Sequence, residues 1–275
     1  MTFAWRRGGL SLEGSSRAGD RSWFRVHPPG VAFDVGRGAA ELAGVTDFFL
    51  THGHLDHALG LPYVLSQRGV HANGPARVFC PAEIVPEVEA FLAAAARLER
   101  VTYHYELHGL VAGQRVAVDR EHWVEAFPVD HLVPALGYHL VQRRLRLRAD
   151  LAGAAGPEIA ALRRAGETVE EETAELRLSY CGDTTAAAFG LEPRLLSTPA
   201  LLIECTFLDP RKHDHAQRFK HLHVDDLKPL AGSMRNETIL LTHLSRRHRA
   251  EELRRQVDAE LPEIAERVVV LADDP

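Results

Sequence analysis

The chain has 275 residues, of which 45% are hydrophobic and 25% charged, as in ordinary globular domains. Its formal net charge of −6 excludes a uniformly basic surface of the kind that attracts nucleic acid from every direction. The sequence contains no apolar run of about 18 residues and no apolar signal core, so we expect no membrane span and a cytoplasmic location.

The first half of the chain predicts mainly strands, because short apolar or alternating runs lie between turn residues. Strands are expected at residues 23–27, 31–35, 45–50, 77–80, 101–107, 115–118, 123–129 and 136–141, with helices at 58–65 and 81–98. The three cysteines, Cys80, Cys181 and Cys205, occur in apolar segments without a C-x-x-C pair, which predicts buried free thiols.

The second half alternates strands with helices, which is typical of a layered α/β fold. Strands are expected at 176–181, 200–205, 238–242 and 268–271, and helices at 158–164, 224–234 and 249–261. The acidic segment 167–175 predicts an exposed loop or edge. We therefore expect one domain over residues 1–275.

The segment from Thr51 to His57 is the strongest functional signal, with three imidazoles and a carboxylate in the pattern H-x-H-x-D-H. It lies where a predicted buried strand meets a predicted helix. On an extended loop His52 and His54 point the same way and can face one metal ion. Asp56 and His57 lie past the bend and can face a second ion. Imidazole and carboxylate suit zinc and similar divalent metals.

Further ligand-type residues follow other predicted strands, namely His131, Asp183, Glu204 and His243. A rigid sheet fixes the position of residues at its strand ends, whereas loops leave them accessible. Each of these residues alone is more typical of a cap or a turn. Together with the H-x-H-x-D-H pattern, they favour a single metal site that contains His131, Asp183 and His243.

This set of motifs resembles the metallo-β-lactamase superfamily and, within it, the ribonuclease Z branch. The similar segments are Thr-His-Gly-His-Leu-Asp-His at 51–57, Asp-His-Leu-Val-Pro-Ala-Leu-Gly-Tyr at 130–138, Gly-Asp-Thr at 182–184, Glu-Cys-Thr-Phe at 204–207, Thr-His-Leu-Ser-Arg-Arg at 242–247 and the N-terminal Glu-Gly-Ser-Ser-Arg-Ala-Gly at 13–19. The resemblance covers about residues 10 to 258. It implies an αββα sandwich of two mixed β-sheets flanked by helices.

The resemblance also implies a site for two divalent ions, with Zn²⁺ favoured over Mn²⁺ or Fe²⁺. One ion would be bound by His52, His54 and His131, and the other by Asp56, His57 and His243, with Asp183 bridging. Two such ions activate a nucleophile and stabilise the attacking and leaving oxygens of a phosphoryl transfer. Asp56 would in addition orient the attacking water.

A proton donor is expected near these ligands. Related phosphodiesterases pair a glutamate at the Glu-x-Thr strand end with a histidine just before a helix, close to the leaving oxygen. Here the glutamate is Glu204 and the histidine is His223, with His221 as the competing candidate. A protonated histidine held by a carboxylate is a good general acid.

The implied activity is hydrolysis of a phosphodiester bond, most concretely the removal of the 3′ trailer from precursor tRNA. The interval at about 142–175 is a short insertion in place of the long tRNA-binding arm of many family members. Arginines at 143, 144, 146, 148, 246 and 247 are candidate phosphate contacts, although Arg247 has a structural strut as its alternative reading. The acidic net charge instead favours a small phosphodiester or other ester, such as a cyclic nucleotide. A non-catalytic subunit on the same fold is a third alternative, and homodimers are frequent in the family.

Overall fold

Two mixed β-sheets form the centre of the fold in this computed structural model, which describes residues 2–71 and 74–271. Within those residues each sheet has seven strands, and their spatial order follows the chain order. The first sheet contains β1 (Phe3–Arg7), β2 (Leu10–Arg17), β3 (Arg21–His27), β4 (Val31–Phe33), β5 (Asp47–Phe49), β6 (Ala76–Pro81) and β7 (Tyr105–Leu110). The second contains β8 (Arg115–Ala117), β9 (His122–Pro128), β10 (Leu136–Leu147), β11 (Glu170–Tyr180), β12 (Ala200–Glu204), β13 (Thr238–Thr242) and β14 (Val268–Val270).

Helices cover the outer face of each sheet. The described α-helices are α1 (Leu55–Ala58), α2 (Leu61–His71), α3 (Val85–Glu99), α4 (Gly156–Arg164), α5 (Ala188–Leu191), α6 (His213–Phe219), α7 (Val224–Ala231) and α8 (Ala250–Glu260). Apolar residues of α1, α2 and α3 pack on the first sheet, and those of α5, α7 and α8 pack on the second. This four-layer αββα arrangement confirms the predicted fold class.

The two sheets face each other across a layer rich in aromatic side chains. Phe33 stacks on Tyr138 with ring centroids 6.0 Å apart, and the edge of Tyr180 meets Phe24 at 4.9 Å. Both tyrosine hydroxyls in this layer have partners, as buried polar groups require. The Tyr138 hydroxyl donates to the carbonyl of Leu50, and the Tyr180 hydroxyl donates to the carboxylate of Asp34, which follows β4.

Parallel pairing brings several strand ends to one edge of the molecule. Strands β4 to β7 are parallel in the first sheet, and β11 to β14 are parallel in the second. The carboxyl ends of parallel strands lie at the same edge of a sheet, and ligands usually bind there in α/β folds. Loops 50–57, 181–185, 205–209 and 243–248 begin at these ends, so the predicted site residues converge.

The predicted insertion forms a ribbon that extends beyond the second sheet. Strand β10 pairs with β9 only as far as Gln142, whereas it pairs with β11 as far as Leu147 and Glu170. Residues 143–147 and 170–175 therefore form a two-stranded ribbon, which we call the distal ribbon, and α4 lies between its strands. Residues 170–175 pair with β10 on one side only, so of the loop and the edge expected at 167–175 the edge is observed over these residues. Arginines of β10 neutralise its glutamates, as in the pairs Arg143–Glu172 and Arg144–Glu175, both at 3.0 Å.

Several local expectations also required correction. Strands β1 and β2 and helix α6 were not predicted from the sequence, and the strand expected at 101–107 begins only at Tyr105. Cys80, Cys181 and Cys205 are buried and free, which confirms the prediction for all three thiols. In the part of the chain that the structure describes, no helix combines the length and apolar character needed to cross a bilayer.

Candidate metal centre

The loop after β5 carries four of the predicted ligands in two orientations. His54 is extended, with φ −63° and ψ 144°, and it stands directly before the first residue of α1. The extended stretch points His52 and His54 toward one centre, and the turn into α1 directs Asp56 and His57 toward a neighbouring one. The rings of His52 and His54 lie 4.7 Å apart, and those of His52 and His57 lie 4.2 Å apart.

The structure brings all seven predicted ligands together in two adjoining groups. One ligand atom from each of His52, His54, His131 and Asp183 lies within 4.8 Å of the others. Atoms of Asp56, His57 and His243 form a second group at the same spacing. This division is the one that the resemblance implied.

Asp183 lies between the two groups. Its Oδ2 is 3.7 Å from Nε2 of His52 and 3.5 Å from Nε2 of His243, and its Oδ1 is 3.4 Å from Nε2 of His57. The preceding Gly182 has φ +61°, and a Cβ there would meet Thr51 at less than 3.0 Å. Glycine at this position therefore allows the chain to pass closely enough for Asp183 to reach both groups.

The donor atoms fit a divalent metal ion. Among the described residues, Nε2 of His52, Nε2 of His57 and Oδ1 of Asp183 are buried without a hydrogen-bond partner. Leaving a buried polar atom unpaired costs about 1–3 kcal/mol, so three such atoms in one cluster suit a bound cation. Imidazole nitrogens and a carboxylate are the donors that borderline divalent metals prefer.

Asp34 holds the histidines of the first loop in place, and the sequence did not identify it as a site residue. This fully buried residue accepts hydrogen bonds from the Thr51 amide at 2.7 Å, from Nδ1 of His57 at 2.8 Å and from the Tyr180 hydroxyl at 2.7 Å. The Thr51 hydroxyl donates to Asp34 and accepts from Nδ1 of His52 at 3.0 Å. Nε2 of both histidines is thereby left free for a metal.

The backbone of Asp34 is itself unusual, with φ +53° in the left-handed region. Non-glycine residues adopt this conformation at a cost and mostly where a site requires it. His243 has the same φ of +53°. A signal for Asp34 was present in the sequence, because it lies near the end of the strand predicted at 31–35, as Glu204 does in the strand predicted at 200–205.

Glu204 has the equivalent position on the other side of the centre. It accepts a hydrogen bond from the Thr206 hydroxyl at 2.6 Å, and that hydroxyl accepts from Nδ1 of His243 at 2.9 Å. The amide of Thr184 and Nδ1 of His221 both donate to Oε1 of Glu204, at 3.0 and 2.8 Å. Each of these two buried carboxylates, Asp34 and Glu204, therefore orients one histidine directly and a second histidine through a threonine.

The expected pairing of His223 with Glu204 is wrong. His223 is fully buried at the start of α7, where its Nδ1 accepts a hydrogen bond from the Asp225 amide at 3.1 Å. Its Nε2 donates to the carbonyl of Asp209 at 3.0 Å, and the backbone amide of His223 donates to Oδ2 of Asp226. Nδ1 is used to cap α7 and Nε2 is used by the Asp209 carbonyl, so neither ring nitrogen is available to a substrate.

His221 occupies the position expected of His223. Its ring packs 5.3 Å from that of His243 and 5.5 Å from that of His131. Its Nδ1 is also 3.9 Å from Asp183. The residue weighed as the competing candidate is therefore the histidine at the centre.

His131 is oriented by the loop that carries His221. The carbonyl of Lys220 accepts from Nδ1 of His131 at 3.2 Å, and Nζ of Lys220 lies 2.7 Å from Oδ1 of Asp130. The Thr185 hydroxyl also donates to Asp130, at 2.6 Å. These bonds join the His221 loop to the strand end that carries His131.

Burial and neighbouring charges set the protonation of the cluster. Burial is the largest influence on His52, His54 and His131, and it lowers the pKa of each. Neutral imidazole is the form that binds metal. Burial opposes protonation of His221, but Glu204 outweighs it and raises the pKa of His221 to about 9. His221 is therefore protonated at neutral pH. Burial opposes protonation of His57 as well, but the charges of Asp183 and Asp34 outweigh it and raise the pKa of His57.

Asp56 is held at the rim of the centre. Its Oδ2 accepts from the Gly19 amide at 2.9 Å and lies 3.1 Å from Nε2 of His243. Burial works to raise the pKa of Asp56, but the hydrogen bond from His243 and the charge of His57 lower it well below its usual value. Asp56 is therefore a carboxylate at neutral pH.

Known proteins resemble the chain along most of its length. A family model described as the beta-lactamase superfamily domain matches residues 33–244. The chain is 30% identical to tRNase Z TRZ2, chloroplastic, of Arabidopsis thaliana over 96% of this chain and 75% of that protein. It is 28% identical to tRNase Z TRZ1 of the same plant, over 96% of this chain and 95% of that protein.

A solved structure supports the same fold. The metallo-beta-lactamase fold protein YhfI from Bacillus subtilis superposes with a TM-score of 0.64 at 13% identity, over 96% of this chain and 97% of that one. The family model and the two plant relatives, together with the shared fold, determine the classification. The chain belongs to the metallo-β-lactamase superfamily, in its ribonuclease Z-like branch.

Proposed function

We propose that this protein is a zinc-dependent endoribonuclease that removes the 3′ trailer from precursor tRNA. One observation carries the proposal: seven metal-ligand side chains converge in two groups around Asp183, with His221 and Glu204 beside them. Such a pair of sites suits displacement at a phosphodiester. The two plant relatives named as tRNases Z support RNA as the substrate.

We assign the metal ligands to the two groups. One ion would be bound by His52, His54 and His131, and the other by Asp56, His57 and His243. Asp183 would bind both ions. Zinc is the preferred ion because five imidazoles dominate the donor set. When bound, two such ions supply an activated water and neutralise charge on the phosphate oxygens. Asp34 and Glu204 keep the imidazole ligands in fixed orientations.

We assign proton donation to His221 and water orientation to Asp56. Nδ1 of His221 donates to Glu204, so Nε2 is free to deliver a proton to the leaving oxygen. Asp56 is fixed by Gly19 and His243 at the rim, where a carboxylate can hold an attacking water in line. Neither role involves His223.

The test is incubation of purified, zinc-loaded protein with a precursor tRNA and, separately, with bis-p-nitrophenyl phosphate. We expect both to be hydrolysed, with the tRNA cut at the start of its trailer. Asp183→Ala should abolish both activities and release metal. Hydrolysis of the small ester alone would reject the tRNA substrate and favour the small-molecule alternative, which the net charge of −6 supports.

A further inference from the structure

A cavity of about 780 Å³ lies beside the metal centre, and the assignments above leave it without a role. We call it the side cavity. One wall is formed by residues 206–212 with His215, and the other by residues 245–248 with Ala18. Thr206 belongs to its lining and also accepts the hydrogen bond from His243. The cavity therefore opens directly next to the proposed metal ligands, and its volume suits a ligand site.

The first wall presents an aromatic surface. Phe207 is partly exposed, and its ring lies 5.4 Å from that of His215. The ring of His221 lies 6.2 Å from the same ring. A base that enters the cavity can stack on such a surface, as bases of single-stranded RNA do in many proteins.

The rim of the side cavity is cationic. Arg211, Lys212, Arg246 and Arg247 all line it, and only Asp209 contributes a carboxylate to the lining. Arg211 pairs with Asp209 at 2.9 Å. Across residues 2–71 and 74–271, the side chains of Lys212 and Arg247 form no ion pair with a carboxylate. These two cations are therefore available to phosphate.

Hydrogen bonds fix both walls before any ligand enters. The guanidinium of Arg17, itself buried, donates to the carbonyls of Ser245 and His248 at 3.3 and 3.4 Å. On the other wall, the Asp209 side chain accepts from the Arg211 amide at 3.1 Å. A preformed cavity loses less entropy when a ligand binds.

We infer that the side cavity binds the nucleoside that carries the leaving oxygen of an RNA substrate. Phe207 stacks on its base, and Lys212 and Arg247 contact its flanking phosphate. The direction follows from His221, whose ring lies 6.2 Å from that of Phe207 and 5.3 Å from that of His243. The oxygen that receives its proton faces the Phe207 side, and the attached nucleoside continues into the cavity. This inference rests on the proposed function.

The test uses short oligoribonucleotides that the protein cleaves at one position. Two derivatives each lack one base, on either side of the scissile bond, and product end analysis shows which nucleoside carried the leaving oxygen. We expect loss of the base on the leaving side to raise KM about tenfold, and loss of the other base to change KM less than about twofold. Phe207→Leu should remove this difference, since it keeps an apolar side chain without a stacking face.

Tyr63→Leu is the matched control, because Tyr63 is an exposed aromatic residue that does not line the cavity. It should keep the full preference for the leaving-side base. Equal effects of the two missing bases, or a larger effect on the other side, would overturn the side-cavity assignment while leaving RNA cleavage intact. This comparison needs only wild-type protein, so it holds even if Phe207→Leu does not fold. Hydrolysis of bis-p-nitrophenyl phosphate without cleavage of any RNA would overturn the proposed function and the side-cavity assignment together.

Discussion

Nδ1 of His221 lies 2.8 Å from Oε1 of Glu204, a carboxylate with no solvent exposure. If His221 protonates the leaving oxygen, His221→Ala should lower turnover of RNA about a hundredfold. Hydrolysis of bis-p-nitrophenyl phosphate should change little, because p-nitrophenolate leaves without a proton. The measurements are kcat on both substrates and the zinc content, which should not fall.

His223→Thr is the control for that prediction. Threonine is a good N-cap residue, so the start of α7 should survive the loss of the ring. RNA cleavage should stay within about threefold of the wild-type rate, since an N-cap exchange changes helix stability and not the site. A loss of equal size on both substrates in His221→Ala would instead give His221 a structural or metal-binding role.

Asp34 touches no substrate but accepts a hydrogen bond from His57 and, through Thr51, orients His52. Asp34→Asn should weaken metal binding about tenfold to a hundredfold, which is the usual effect of losing such a partner. Competition with a chelator of known affinity measures the change.

Asp47→Asn is the matched control for Asp34→Asn. Asp47 is also buried in the first sheet, but it pairs with Arg77 at 2.6 and 2.8 Å, away from the metal centre. This variant should lose stability and keep its metal affinity. Equal loss of metal in both variants would show that general loosening of the sheet, not the orientation of His57, is responsible.

The sequence predicted the seven converging ligands because their types and their places after apolar strands are local features. The identity of the histidine that pairs with Glu204 could not be predicted from local sequence. His221 and His223 both precede α7 within three residues, and helix periodicity gives no reason to prefer either. The decision depends on the N-cap, which His223 fills in place of the usual Ser, Thr, Asp or Asn. Only three-dimensional packing shows that its ring is already used.

Strand β2 was missed for a comparable reason. Its second half, Gly-Ser-Ser-Arg, has little strand propensity, yet all four residues are buried. The Ser16 hydroxyl accepts a hydrogen bond from the His243 amide at 2.8 Å, so this polar segment supports a proposed metal ligand more than 200 residues away. Tertiary contacts of this kind override local propensity. Tertiary contacts also decide the conformation of the distal ribbon. Its glutamates on β11 form a strand because arginines of β10 lie opposite them.

His139 gives a prediction for stability against pH. It is fully buried, and burial followed by the charge of Arg194 lowers its pKa from 6.5 to about 4. Below pH 6.5 the unfolded chain therefore protonates His139, whereas in the folded chain His139 stays neutral until the pH approaches 4. The contribution of His139 to the free energy of unfolding is complete above pH 6.5 and is lost as the pH falls toward 4. This loss is about 2 kcal/mol between about pH 7.5 and pH 5.

Urea unfolding of wild-type protein and His139→Gln at both pH values measures this contribution. The variant lacks the titrating ring, so its free energy of unfolding should fall less over the same interval. Other groups titrate in both proteins and cancel from the comparison. Parallel pH dependences in the two proteins would contradict the assignment to His139.

The last prediction separates the two groups of arginines that the sequence offered as phosphate contacts. Arg144 of the distal ribbon pairs with Glu175 at 3.0 Å, whereas Arg247 lines the side cavity beside the metal centre. Arg247 is exposed, and its side chain forms no hydrogen bond or ion pair with any other residue that the structure describes, so a strut role is not supported. Each phosphate contact contributes about one unit to the salt dependence of binding. Arg247→Ala should therefore lower the slope of log Kd against log salt for precursor tRNA by about one, and Arg144→Ala should leave it unchanged.

Binding is measured with the inactive, metal-free protein so that cleavage does not interfere. Hydrolysis of bis-p-nitrophenyl phosphate by both zinc-loaded variants should stay near the wild-type rate, because that ester has no further phosphates to contact. A lower slope in Arg144→Ala with no change in Arg247→Ala would place the RNA along the distal ribbon instead. The six arginines at 143–175 are outnumbered there by seven acidic residues, so the electrostatic attraction at that surface is too weak to hold tRNA through charge alone.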